Sequence, residues 1–221
     1  MYMSNLSSED KQIVDKFLNL HYAIQFDGKD SLWPYWMGVP VQKTTEDLWT
    51  YQEIIHSQKP DVIIETGTKY GGSTSYFASI CDLIGNGKVI SVDIEHLPYR
   101  PVNPRIEYIT GSSTDNSIVE RIKSRIEPSN KVMVILDSDH TMAHVQSELE
   151  IYSKLVSVGQ FLIVEDSDVN GHPITLRWET EDTPGPYEAI EKFLETNKNF
   201  RTIKERFLVT HNPNGYLRRI K

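Results

Sequence analysis

The 221-residue chain predicts an α/β fold built on an open, mostly parallel sheet, and three observations carry that expectation. Val62-Ile63-Ile64 is a short apolar strand that runs into Glu65 and then into a turn spaced by Gly67, Gly71 and Gly72. A strand, a glycine turn and a new helix build a nucleotide site, because glycine lets the backbone turn sharply and approach a ligand while the helix start presents unpaired N–H groups. Further apolar runs at 88–92, 106–110, 132–136 and 161–164 read as buried strands, and most of them end in carboxylates or small polar residues. The chain then closes on 206–210 and 216–220, flanking Asn214-Gly215, a hairpin signal. The predicted fold is Rossmann-like: a seven-stranded, mostly parallel sheet with one antiparallel strand, a C-terminal β-hairpin and an N-terminal helical extension.

Residues 1–58 form that extension, ahead of a core over 59–221 in a single domain. Ser8 caps a first helix with Ile13, Val14, Phe17 and Leu18 on one face, and Thr44-Thr45-Glu46-Asp47 opens a second with a capping-box pattern. Between them lies Trp33-Pro34-Tyr35-Trp36-Met37-Gly38, which either stacks on a sugar or cofactor or packs the extension onto the core. Past the glycine turn a helix carries Cys81, the chain's only cysteine, on its apolar side; it cannot form an internal disulfide. The stretch 167–186, with Gly171, Pro173, Trp178 and Thr183-Pro184-Gly185-Pro186, is too polar and Pro-rich for a regular element and reads as a substrate lid. An amphipathic helix follows over 187–197.

The chain is long enough to bury a substantial core. A net charge of -8 disfavours broad contact with nucleic-acid phosphate and leaves a small-molecule or glycan substrate. No apolar run approaches the roughly 18 residues of a membrane span, and no basic-then-apolar leader opens the sequence, so the expectation is a cytoplasmic protein without integral membrane association. Assembly into a homo-oligomer stays open.

Motif spacing separates the nucleotide ligands. A dinucleotide site needs G-x-G-x-x-G, but Gly67 is followed by three non-glycines, which disfavours NAD. Residues 67–74 approach a phosphate-binding loop except that Ser73 stands where its lysine belongs, which disfavours ATP and GTP. What remains is E-x-G-x-x-x-G on Glu65, Gly67 and Gly71, which resembles the first motif of class I S-adenosylmethionine methyltransferases. On that reading Glu65, Gly67, Thr68, Gly71 and Ser73 place the cofactor. Asp93, about twenty residues beyond the glycine turn, accepts the ribose hydroxyls unless it is only a loop or capping aspartate. Ser112 lies on the adenine side, where many methyltransferases carry an acid.

Two strands end in acids that bring in chemistry. Val132–Leu136 runs into Asp137-Ser138-Asp139-His140, and Phe161–Val164 into Glu165-Asp166. In an open parallel sheet these ends converge beside the ligand crevice, so Asp137 also reaches the cofactor. Crowded carboxylates raise each other's pKa unless a cation sits among them; oxygen donors suit Mg²⁺ or Mn²⁺, and the lack of a Cys/His cluster argues against structural zinc. The plainer alternative is that these acids cap helices and face solvent. His140, three residues after Asp137, is a candidate general base, with Asp139 as the competing base.

Together, Glu65-Thr66-Gly67 through Gly71-Gly72-Ser73, Leu136-Asp137-Ser138-Asp139-His140, Gly185-Pro186 with Phe193-Leu194, and the tail from Asn212 to Ile220 resemble the cephalosporin hydroxylase family, which is similar to rhamnosyl and macrolide-sugar O-methyltransferases. The resemblance covers the chain from about Trp33 onward. It implies a class I methyltransferase fold, an S-adenosylmethionine site, a Mg²⁺ site on Asp137, Glu165 and Asp166, and His140 as general base in methylation of a sugar hydroxyl. Two rivals stand beside it: a hydroxylation or methoxylation partner of the cephalosporin hydroxylase type, and a non-catalytic nucleoside-binding subunit. Against the former, His140 has no second histidine at the spacing a non-haem iron site needs.

Overall fold

A computed structural model describes residues 6–26, 33–175, 184–204 and 209–221. The sheet contains seven strands: β3 (Val62–Thr66), β4 (Lys88–Asp93), β5 (Ile106–Thr110), β6 (Val132–Leu136), β7 (Phe161–Val164), β8 (Phe200–Thr202) and β9 (Tyr216–Arg219). Their order is β5-β4-β3-β6-β7-β9-β8. All pairs from β5 through β7 are parallel, and β9 alone runs against both its neighbours. The fold class read from sequence therefore holds.

Both faces of the central strands are covered, which explains why they read as unbroken apolar runs. Period-two alternation divides each strand between two cores. Ile63, Val89, Met133, Ile135 and Ile163 meet α2 (Thr45–Gln58) and α3 (Gly72–Ile84) on one side. Val62, Ile64, Ile90, Val134 and Leu162 meet α4 (Asn116–Lys123), α5 (Met142–Tyr152) and α6 (Pro186–Thr196) on the other. Cys81 is buried in the first of these cores, as its helix position predicts. The chain leaves β3 toward β4 and β5 and then crosses back to β6, so a crevice opens where β3 and β6 end, the place where open α/β sheets take ligands.

The periphery corrects several expectations. α1 (Ser8–Phe26) buries Leu18 and Tyr22 against Val169 and Ile174, whereas Ile13 and Phe17 remain exposed. Its start is closed by Ser7, whose Oγ accepts from the Asp10 N–H at 3.1 Å, rather than by Ser8. The aromatic segment folds into a minimal hairpin of β1 (Tyr35–Trp36) and β2 (Val39–Pro40). Trp36 donates to Ser79 Oγ at 3.1 Å and meets Tyr76 edge-on, so this segment docks the extension onto α3. The partner of β9 is β8, paired Phe200↔Arg219, and not 206–210. Residues 205–208 lie outside the described residues, and Thr210 is held by a side-chain bond to Asp47 instead of a ladder. Of the expected lid, 176–183, including Trp178 and Thr183, lie outside the described residues. Ser167, Asp168, Val169 and Ile174 are buried, and the turn is tied by Ile174 N–H to Asp168 O at 2.9 Å, so in this structure this part packs into the core.

Candidate active site

A cavity of about 530 Å³ opens at the ends of β3, β4, β5 and β6, a size typical of small-ligand sites. Gly67, Asp93, Ser112, Asp137, Asp139, His140 and Asp166 line it, and Gln42, Ser113, Ser138 and His144 are among the other residues of its wall. Thr68 and Ser73 line a narrow crevice beside it, together with Lys43.

The glycine turn works differently from the expectation. A Cβ on Gly67 would lie 1.6 Å from the Asp137 carbonyl oxygen, and one on Gly72 would lie 2.1 Å from that of Pro40. These glycines let protein backbone approach protein backbone, and the ligand space is a consequence. Glu65 is fully buried, and its carboxylate accepts from Ser73, Thr74 and Ser91 hydroxyls. In this arrangement the Glu65 carboxylate clamps the start of α3 onto β3 and β4, and Glu65 does not line the cavity. Gly71, with φ of 80°, turns the backbone into α3 and packs on Pro101 and Tyr108 rather than on the cavity. Asp93 does face the cavity. Its Oδ2 accepts from the Thr68 and Lys69 N–H groups and pairs with Arg100, while Oδ1 accepts from Glu95 N–H. A carboxylate has about four lone-pair sites, so Oδ1 retains room for a ligand hydroxyl.

At the other end, the Asp137, His140 and Asp166 ligand atoms lie within 4.8 Å of one another. His140 Nε2 is 3.0 Å from Asp166 Oδ2. Asp166 reaches this position through a left-handed backbone, φ 53°, with its N–H donated to the buried Asn212 Oδ1. Asp139 is exposed as a residue. Partial burial of its carboxyl would raise the pKa, but acceptance from the Thr141 N–H at 2.8 Å, a helix-start bond, outweighs it and holds the group below the usual range. The expected ligand Glu165 is not in the cluster. Its Oε1 accepts from Lys43 Nζ at 2.6 Å and from the Tyr51 hydroxyl at 2.6 Å, and the same ammonium reaches Asp137 Oδ2 at 2.8 Å. Burial pushes both acids upward, and Lys43 pulls them back. Burial would likewise depress Lys43, but attraction to Asp137 and Glu165 outweighs it and leaves the ammonium firmly charged. Sequence spacing gives no sign of Lys43, because a residue just ahead of a capping box does not report where its amine ends. Among the described residues, the excess of hard oxygen donors at Asp137, Glu165 and Asp166 over the single Lys43 ammonium fits a divalent ion of the Mg²⁺ type.

A second unforeseen group sits by Ser112. His144 Nε2 lies 3.2 Å from Ser113 Oγ and 3.1 Å from Ser138 Oγ, and Ser138 donates to the buried Glu148 at 2.8 Å. His144 Nε2 also lies 3.5 Å from Glu148 Oε1, and this carboxylate raises the His144 pKa. The i,i+4 spacing of His144 and Glu148 on one helix is the signal that points to it.

Comparison with known proteins fits this geometry to a family. Residues 32–220 match the family described as Rhamnosyl O-methyltransferase/CmcI. The chain belongs to that family. Over 191 residues it is 41% identical to a rhamnosyl O-methyltransferase of Mycobacterium bovis, spanning 82% of this chain and 76% of that protein. It is also 41% identical over 162 residues to one of Mycobacterium leprae, spanning 72% and 69%. Among solved structures, CmcI with Mg and S-adenosylmethionine superposes with a TM-score of 0.63 at 18% identity, covering 85% of this chain and 77% of that one. At that identity the structural likeness establishes the fold, and the family match together with the 41% relatives carries the family assignment.

Beneath the site, the tail rests on a buried ion pair that yields a pH prediction. His211 Nδ1 lies 2.6 Å from Asp168 Oδ2, anchoring the tail to the wall after β7. Burial alone would lower the His211 pKa, but Asp168 outweighs it and raises the group to about 9. The folded value exceeds the unfolded value of about 6.5, so the His211 contribution is lost as pH rises from about 6.5 through the folded value; burial raises the Asp168 carboxyl as well, to about 6, so both members of the pair are charged only between about pH 6 and 9. Thermal melts should show the wild type losing on the order of 2 to 3 kcal/mol across that window. His211→Gln should start lower and follow a flatter profile; parallel curves would refute the assignment.

Proposed function

We propose that this chain is a Mg²⁺-dependent S-adenosylmethionine O-methyltransferase acting on a sugar hydroxyl, with a rhamnosyl group as the favoured acceptor. The observation that carries it is the His140–Asp166 pair beside Asp137 at the mouth of a nucleoside-sized cavity, in a chain 41% identical to rhamnosyl O-methyltransferases. When bound, S-adenosylmethionine supplies an electrophilic methyl group and the divalent ion acidifies the acceptor hydroxyl. Asp93 holds the ribose through Oδ1, and Ser112, Ser113 and His144 form the adenine side. Gly67 and Asp137 shape the floor between them. Asp137 and Asp166 supply oxygen ligands to the ion, with Glu165 held in reserve by Lys43. Asp166 accepts the Nε2 proton of His140, which leaves the Nδ1 lone pair to take the hydroxyl proton. Asp139, exposed and bound to Thr141, is the weaker base. Residues 1–58 contribute Gln42 and Lys43 to a core over 59–221, and a donor made in the cytosol favours a cytoplasmic location.

Against the hydroxylase-type rival, neither metal-ligand cluster among the described residues brings two histidines together, as a non-haem iron site requires. Transfer of labelled methyl from S-adenosylmethionine to a panel of rhamnose-bearing glycolipids and free deoxysugars tests the reading. Incorporation should disappear in excess chelator and return with Mg²⁺ or Mn²⁺. Binding of the donor with no transfer to any acceptor would favour the non-catalytic subunit, and full activity in chelator would make the acids structural.

A further inference from the structure

Among the described residues Lys43 is the one lysine or arginine paired with Asp137 and Glu165, and it comes from the extension rather than from the sheet. Its side chain is 2% exposed, with Nζ at 2.8 Å from Asp137 and 2.6 Å from Glu165 and 5.9 Å from the Tyr51 ring centroid. The backbone beneath it is held firmly. The next residue, Thr44, caps α2 and donates to Asp47 at 2.7 Å, and Asp47 in turn accepts from the Thr210 and Tyr216 hydroxyls and from His211 N–H. The four-carbon stem, by contrast, is flexible, and it delivers a compact point charge. That charge is a cation placed between two carboxylates, one of which also belongs to the Asp137, His140 and Asp166 cluster.

We propose that Lys43 is a built-in competitor of the divalent ion: its ammonium holds Asp137 and Glu165 together in the metal-free protein and is displaced when the ion takes those oxygens. The inference rests on the metal reading above. The buried Glu165 without a counter-ion, beside the partly exposed Asp137, would be strongly destabilising, so a protein that must fold before it loads metal needs a stand-in charge. The same charge then opposes loading. Lys43 in this way sets how much Mg²⁺ is needed to switch the site on and releases Glu165 as a further oxygen ligand when it leaves.

Two measurements test it. Calorimetric titration of Mg²⁺ into Lys43→Met should show affinity about tenfold or more above wild type, the effect of removing a partly screened unit charge a few ångströms from the ion. The metal-free variant should melt lower than wild type and gain more from Mg²⁺. In wild type, Lys43 should react slowly with an amine-acylating reagent, read by peptide mass spectrometry, and Mg²⁺ should accelerate that reaction. If Lys43→Met does not fold without metal, rescue of folding by Mg²⁺ supports the proposal, and the labelling of wild type decides it independently. Unchanged or weaker Mg²⁺ binding by a folded variant overturns it, as does labelling that Mg²⁺ leaves unaltered. Wild type and variant both failing to bind Mg²⁺ or Mn²⁺ would overturn the metal reading as well, which separates the two failures.

Discussion

An alanine at Gly67 should abolish cofactor binding and remove much of the protein's stability. The added Cβ would stand 1.6 Å from the Asp137 carbonyl oxygen and 2.5 Å from its carbon, and both are backbone atoms that no rotamer change can move. The φ of 83° adds strain for any side chain. Relief requires the β3 and β6 ends to separate, which breaks the Asp137 N–H to Thr66 O bond and opens the floor of the cavity. We expect a loss on the order of 4 kcal/mol or more, well beyond an ordinary substitution, with S-adenosylhomocysteine binding undetectable by calorimetry. Gly159 provides the control. Its φ is 89°, but nothing lies within 4 Å of its missing Cβ, so Gly159→Ala should cost only about 1 to 2 kcal/mol of backbone strain and leave binding intact. If the two variants melt alike and both bind cofactor, the close approach of the two strand ends is not what builds the site.

The second large effect is chemical. His140→Ala should lower kcat by about two to four orders of magnitude while donor and metal affinities stay near wild type, because a general base acts in the reaction step rather than in binding. Added imidazole should restore part of the lost rate, a response that a purely structural histidine would not give. Asp166→Asn should fall between wild type and His140→Ala, since it weakens the partner 3.0 Å from Nε2 and also removes an oxygen ligand. Asp139→Ala should cost little in rate, because Asp139 is exposed and committed to the Thr141 N–H. Near-wild-type kcat in His140→Ala together with collapse in Asp139→Ala would exchange their roles.

Much of this site is legible in the amino-acid sequence, for a definite reason. Strand ends in a parallel sheet all point to one side, so the apolar runs that precede Asp93, Asp137 and Asp166 assign these acids to a common edge. The crossover after β5 then makes β3 and β6 neighbours, and Gly67 and Asp137 follow into contact. Period and terminus are local properties of the chain. Residue 65 shows where that logic stops. An acid at the end of a strand reads the same whether it faces a ligand or, as here, three hydroxyls of which two belong to the start of a helix.

The extension and the tail are harder to read, because their anchors are long-range side-chain bonds with no period. Thr210, His211 and Tyr216 converge on Asp47 across more than 160 residues of chain, a buried knot that ties the tail to the extension. Lys43 is the extreme case. A lysine two residues ahead of a helix is by default a solvated surface charge, and only the packing of the extension over the end of β7 carries it into the acids. The order of strands, the glycine turn and the row of carboxylates are set by backbone sterics and hydrophobic period, which act over a few residues and can be read along the chain. Which carboxylate faces a ligand and which a lysine depends on where distant segments bury their charges, a balance of desolvation and pairing that exists only once the chain has packed.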